Sequence, residues 1–264
     1  MSRLDDVLAG ARSEGRAALV GYLPAGYPTV EHGAAAMTAM VEAGVDVVEV
    51  GLPYSDPLMD GPTIQVAVDA ALRAGTTTAD VLRTVREVAA TGAPTLVMSY
   101  WNPVERYGVE RLAHDLAEAS GAGVITPDLT PDEAGAWLAA TDAAGLARVF
   151  LVAPSSTEAR LRYTTEHCRG FVYAASTMGV TGARTSVGGA AEELVRRTRA
   201  VTDLPVCVGL GVSTGAQAAE VARYADGVIV GSAFVRLLLD APSPESGRKA
   251  VADLAAELAD GVRG

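Results

Sequence analysis

V-E-V-G-L-P-Y-S-D-P-L-M-D-G-P, from Val48 to Pro62, is the stretch from which the rest of the chain can be read. It opens as an apolar strand carrying one carboxylate, Glu49. It then breaks into a loop with three prolines and two acids, Asp56 and Asp60. A carboxylate in a buried strand is costly unless it is paired or used. A strand end that leads into a rigid acidic loop is where barrel enzymes keep their chemistry. The segment therefore predicts an active site whose carboxylates do acid–base work.

On either side of it, short β-branched runs alternate with longer Ala/Leu-rich runs. Strands are predicted at Ala18–Tyr22, Val45–Gly51, Thr95–Ser99, Gly123–Thr126, Ala147–Val152, Gly170–Ala174, Pro205–Gly209 and Gly227–Val230. They are continuously apolar, as parallel strands covered on both faces are. Between them, Val30, Ala34, Met37 and Val41 mark one face of a helix, with Thr29 as its N-cap and Gly44 at its end. Val109, Leu112, Leu116 and Ala119 mark another. Eight evenly spaced strand–helix units predict an α/β fold, a (β/α)8 TIM barrel with an extra N-terminal helix, as one domain over residues 1–264. A doubly wound open sheet is the alternative. It is disfavoured because no G-x-G-x-x-G follows the first strand.

The net charge of -11 excludes a nucleic-acid binder, since phosphate backbones need a basic face. No apolar run is long enough to span a bilayer. The N-terminus carries acids where a signal peptide would be apolar, so a cytoplasmic protein is expected. Cys168 and Cys207 lack metal-type spacing and read as reduced thiols. Lys249 is the only lysine, and it lies in the C-terminal helical run, so a Schiff-base aldolase is excluded. His32, His114 and His167 are scattered over helices, which leaves no ligand cluster for a metal-dependent lyase. No cofactor is expected.

Glycine-bearing strand ends follow the sixth, seventh and eighth predicted strands. Backbone N–H groups there, aided by a helix N-terminus, hold a phosphate without lysine. Gly182, Gly211, Gly231 and Ser232 are the candidates. For the chemistry, carboxylates remain, with a tyrosine in support: Glu49, Asp60, Asp128 and Tyr173. Each has a plainer alternative. Glu49 could face the helices and pair with an arginine, Asp60 could be a turn residue beside Gly61, and Tyr173 could be a core aromatic. Asp56, in S-D-P, reads as turn chemistry.

The Val48–Pro62 stretch resembles the signature of the tryptophan synthase α subunit. The resemblance runs along the chain through G-Y-L-P-A-G-Y-P (Gly21 to Pro28), Y-W-N-P (Tyr100 to Pro103), P-D-L (Pro127 to Leu129), F-V-Y-A-A-S-T-M-G-V-T-G (Phe171 to Gly182) and V-G-S-A (Val230 to Ala233). It implies a barrel that cleaves indole-3-glycerol phosphate to indole and glyceraldehyde 3-phosphate and passes the indole to a β subunit. An α2β2 heterotetramer is expected, with contact through the loop Leu52 to Asp60.

The family's catalytic carboxylates fall on Glu49 and Asp60, and its phosphate site on Gly182, Gly211, Gly231 and Ser232. The resemblance puts its indole pocket at Tyr22, Tyr100, Ile125, Tyr173 and Thr181, with Leu210 beside it. Glu49 is then expected to move protons, Asp60 to accept the indole N–H, and Thr181 to orient Asp60. There are departures. Tyr22 and Leu210 stand where phenylalanine is common, and Thr177 and Met178 replace an arginine-containing segment. A standalone lyase and a non-catalytic regulatory subunit are the competing expectations. The intact Glu49 and Asp60 speak against the second.

Overall fold

The computed structural model describes residues 2–175, 189–209 and 211–264. Among these residues the strands are β1 (Ala18–Pro24), β2 (Val47–Gly51), β3 (Thr95–Met98), β4 (Gly123–Ile125), β5 (Ala147–Val149), β6 (Leu151–Val152), β7 (Val172–Ala175), β8 (Val206–Gly209) and β9 (Gly227–Val230). Their order in the sheet is β5-β4-β3-β2-β1-β9-β8-β7-β6, and every pair is parallel. The two ends of that order, β5 and β6, are separated in the chain only by Phe150. They are two pieces of one barrel position, each bonded to a different neighbour, so the covalent chain closes the barrel.

Eight helices follow the eight barrel positions: α2 (Val30–Glu42), α4 (Thr78–Ala89), α6 (Val109–Glu118), α7 (Gly135–Ala144), α8 (Glu158–His167), α9 (Gly189–Arg199), α10 (Gly215–Ala222) and α12 (Pro244–Arg263). The expected extra N-terminal helix is α1 (Arg3–Ser13). Three helices were not anticipated: α3 (Pro62–Arg73), α5 (Trp101–Tyr107) and α11 (Ser232–Asp240). Each sits in a connection that leaves the C-terminal end of a strand. They build up the barrel mouth.

Alternation along the strands divides the core in two. Ala18, Val20, Val47, Leu96, Ile125, Val149, Phe171, Cys207 and Ile229 pack together inside the barrel. Their sequence neighbours, such as Leu19, Val48, Val97, Val124, Val208 and Val228, pack outward against the helices. Both strand faces are therefore dry, which is why the strands read as continuous apolar runs. Leu4, Leu8 and Ala11 of α1 join the interior cluster, so α1 stops the N-terminal end of the barrel. Its start is fixed by a capping box between Ser2 and Asp5. Burial of Leu4 and Leu8 contributes roughly 1.5–3 kcal/mol each.

The two helix signals read from sequence behave as expected. Thr29 caps α2 by accepting from the His32 N–H, and Gly44, at φ 112°, ends it. Leu112 and Leu116 of α6 are buried. No helix among the described residues is long and apolar enough to cross a membrane.

Candidate active site

Val47 of β2 packs in the barrel interior, so Glu49, two residues on, enters the same space near its C-terminal end. Its side chain is 1% exposed, and among the described residues neither carboxylate oxygen has a hydrogen-bond partner. Among the described residues Glu49 neither faces the helices nor pairs with an arginine. Burial alone pushes the Glu49 carboxyl up to about 8. It is therefore protonated at neutral pH, and it titrates close to that range.

The neighbouring strands make room around it. Tyr22 of β1 is the register partner of Glu49, and Tyr173 of β7 is the partner of Cys207. A Cβ at Gly51 would collide with the hydroxyl of Tyr22, and one at Gly209 with the hydroxyl of Tyr173. Glycine at these two strand ends lets a phenol lie across the barrel mouth. Both phenols are pushed well above their ordinary pKa, first by burial; next in order comes the charge of Asp60 for Tyr22 and that of Glu49 for Tyr173. They are neutral hydrogen-bond donors at any working pH.

Asp60 reaches the same mouth from the loop after β2. The Tyr100 hydroxyl donates to its Oδ1 at 3.1 Å and accepts from the Met59 N–H at 3.0 Å. The Gln65 side chain holds the Asp60 carbonyl at 2.7 Å. Burial raises the Asp60 carboxyl, and the Tyr100 hydrogen bond works against that rise. Asp60 is thus built into the site rather than being a solvated turn residue. Ile125, at the end of β4, is fully buried in the interior cluster, against which Tyr173 packs.

Asp128, a candidate for acid–base work, has another task. Its two oxygens accept from the Trp101 N–H at 2.9 and 3.2 Å. That bond fixes the start of α5 and with it Tyr100, the preceding residue. Asp56 accepts from its neighbour Ser55, as turn chemistry predicts. Tyr54 and Asn102 were not singled out from sequence. Asn102 donates to the Tyr54 hydroxyl at 3.0 Å, and the Tyr54 ring lies 5.5 Å from that of Tyr100. The contact spans more than 40 residues, and no local pattern encodes it.

At the other side of the mouth, β8 and β9 pair with a constant offset, Cys207 with Gly227 and Gly209 with Ile229. Gly211 and Gly231 follow the C-terminal ends of these two neighbouring strands. Gly211 has φ 71°, a left-handed conformation that glycine adopts without strain. Gly231 caps α11, and Ser232 is its first residue. The first N–H groups of a helix have no acceptor within it, so they are free to bind an anion. Thr177, Met178, Thr181, Gly182 and Leu210 lie outside the described residues. Both cysteines are free and buried. His32, His114 and His167 lie on the helices α2, α6 and α8.

The barrel mouth gathers a buried carboxyl, Glu49, a half-buried one, Asp60, and the phenols of Tyr22, Tyr100 and Tyr173. Comparison with known proteins gives this arrangement a family. Residues 8–263 match the family described as tryptophan synthase alpha chain. The chain is similar to the tryptophan synthase alpha chain of Streptomyces coelicolor, 64% identical over 262 residues, covering 99% of this chain and 97% of that one. It is 65% identical over 263 residues to that of Salinispora arenicola, covering 100% and 98%. Among solved structures, tryptophan synthase from Mycobacterium tuberculosis superposes with a TM-score of 0.93 at 58% identity, covering 100% of this chain and 99% of that one. The alpha subunit from Legionella pneumophila keeps a TM-score of 0.90 at 31% identity, covering 99% and 98%. The chain belongs to the tryptophan synthase alpha chain family, the lyase subunits that cleave indole-3-glycerol phosphate in tryptophan biosynthesis beside a beta-subunit partner.

Proposed function

We propose that Glu49 is the acid–base group of this cleavage and that Asp60 holds the indole nitrogen. The observation that carries the reading is the Glu49 carboxyl: buried, without a partner among the described residues, and raised to about 8. The bond to be broken joins indole C3 to the hydroxyl-bearing carbon of the glycerol chain. Glu49 first gives its proton to C3, which turns the ring into a cationic indolenine. Glu49, now a carboxylate, then takes the proton of the adjacent hydroxyl. The O–H electrons form the aldehyde, the C–C pair returns to the ring, and indole leaves neutral. Glu49 ends the cycle protonated, as it began.

Asp60 accepts the indole N–H, and its charge offsets the positive charge that develops on the ring. Tyr22, Tyr100, Ile125 and Tyr173 wall the indole. The backbone at Gly211, Gly231 and Ser232 holds the phosphate, together with Gly182. Because the first step needs protonated Glu49, kcat/KM should fall as pH rises through about 8. Glu49→Gln is expected to leave substrate affinity near normal while turnover drops on the order of a thousandfold. Turnover at the wild-type rate in that variant would sink the assignment.

The beta subunit is held by the loop Leu52 to Asp60 in an α2β2 assembly of the cytoplasm. Two features of the loop support this. Leu58 is 73% exposed, and the loop borders a groove of about 650 Å3 lined by Pro53, Tyr54, Asp56, Asn102 and Arg106. A large apolar side chain left in water beside a groove is an anchor for a partner. Leu58→Asp should weaken binding of the beta subunit at least tenfold in a titration. Unchanged association would move the interface elsewhere.

A further inference from the structure

Asp60 enters the mouth from a loop, yet a carboxylate that faces one ring nitrogen needs one orientation. Two of the helices added at the mouth meet it. Gln65, in the first turn of α3, donates to its carbonyl at 2.7 Å. Tyr100, at the N-cap of α5, donates from its hydroxyl to Oδ1 at 3.1 Å and accepts from the Met59 N–H at 3.0 Å. Backbone and carboxylate are thus held by different helices. The second hold is only as firm as the start of α5. An N-cap is normally Ser, Thr, Asp or Asn, whose side chain accepts an N–H of the first turn. Here it is Tyr100, which makes no cap bond, its hydroxyl being turned to Asp60. The acceptor comes instead from the connection after β4. Asp128 takes the Trp101 N–H on both oxygens, at 2.9 and 3.2 Å. The carbonyl of the same peptide, that of Tyr100, accepts from the buried Ser99 hydroxyl at 2.8 Å. The peptide that carries Tyr100 into α5 is therefore fixed at both its polar groups.

We propose that Asp128 is a positioning residue for Asp60: it supplies the cap that α5 lacks, and so keeps the Tyr100 hydroxyl on the Asp60 carboxylate. This rests on the reading of Asp60 as the group that accepts the indole N–H. Asp128 works as a hydrogen-bond acceptor, with no proton transferred to or from it. Freeing Tyr100 from a cap of its own leaves the phenol available to the loop. Without Asp128, the first turn of α5 loses its acceptor, the Tyr100 hydroxyl shifts, and Asp60 keeps only the Gln65 bond at its backbone.

Three variants test this in the complex with the beta subunit, with glyceraldehyde 3-phosphate formation as the readout. Asp128 is exposed in its connection, so truncating it leaves the core packing intact. Asp128→Ala should lose roughly tenfold in kcat, a lost cap converted to a rate, with KM nearly unchanged. Asp128→Asn should recover most of that loss, because its carboxamide oxygen still accepts the Trp101 N–H. On a Tyr100→Phe background, Asp128→Ala should cost nothing further, since the hydroxyl it positions is gone. An Asn variant as slow as the Ala variant would overturn the proposal, because the charge or proton of Asp128 would then be in use. A wild-type kcat in Asp128→Ala would overturn it too, as would an undiminished loss on the Tyr100→Phe background. All three outcomes leave the reading of Asp60 standing. Full activity in Asp60→Asn would overturn both the proposal and that reading.

Discussion

The two ends of this barrel treat carboxylates in opposite ways. At the N-terminal end, Asp46 receives both guanidinium nitrogens of Arg16 at 2.8 and 2.9 Å and the Leu19 N–H at 2.8 Å. Asp226 pairs with Arg12 at 3.0 Å and with Arg199 at 2.9 Å, and accepts the Val206 N–H. Asp142 meets Arg148 at 2.6 Å and Arg169 at 2.9 Å. At the C-terminal end, Glu49 and Asp60 form no ion pair among the described residues, and their neighbours are phenols. One end uses charge to fix the start of strands and the ends of helices. The other leaves its carboxyls without ion pairs among the described residues, and burial raises both. The lesson is in the pKa directions. Burial works against the charge of Asp226, but the Val206 N–H and the two arginines outweigh it and hold its carboxyl low. Among the described residues nothing offsets burial at Glu49.

The largest expected effect follows from that contrast. Glu49 rises from 4.5 to about 8 on folding, so between those values the folded chain holds a proton that the unfolded chain has lost. Stability is full below about pH 4.5 on this account and falls as pH approaches 8. Glu49→Gln should remove that slope and gain up to about 5 kcal/mol at pH 8, read by chemical denaturation across pH. Identical pH slopes in the two proteins would mean that Glu49 is not held neutral.

A smaller effect sharpens the phosphate corner. Ser232→Asp places a negative charge where a helix N-terminus favours it, so α11 should be no less stable. The same charge should repel a phosphate and raise KM for indole-3-glycerol phosphate on the order of a hundredfold. Steady-state kinetics decides this, and an unchanged KM would place the phosphate elsewhere.

The smallest effect probes the other end. Asp226→Asn should cost about 1–3 kcal/mol of stability at pH 7 and leave kcat alone. Asp226 has a folded pKa below its unfolded value, so its contribution is present above the unfolded value and is lost as pH falls through the folded one. The two ends thus limit stability from opposite sides of the pH scale. A variant that kept its stability and lost turnover would break the division between them.

Much of this was legible in local pattern. The apolar runs, the Thr29 cap and Gly44 report on single strands and helices, which are decided by neighbours in the chain. The unanticipated helices α3, α5 and α11 lie in the connections that leave β2, β3 and β9, where a regular repeat of one helix per strand leaves no place for an added element. The division of the fifth strand at Phe150 was also hidden. It arises because Val149 and Leu151 bond to different neighbours as the barrel closes.

The sequence by itself determined the parallel architecture, the family, and the roster of groups able to do chemistry. It did so by pattern and by exclusion, since one lysine and scattered histidines leave carboxylates and phenols. The tertiary structure alone decided which of these groups meet. Glu49 lies inside the barrel rather than under the helices, unpaired among the described residues. Asp128 ties down α5, and Tyr100 reaches Asp60 across 40 positions. Side-chain type is a property of one residue and can be read along the chain. The pKa and partner of that side chain depend on burial and on residues distant in sequence, and only the closed barrel brings those together.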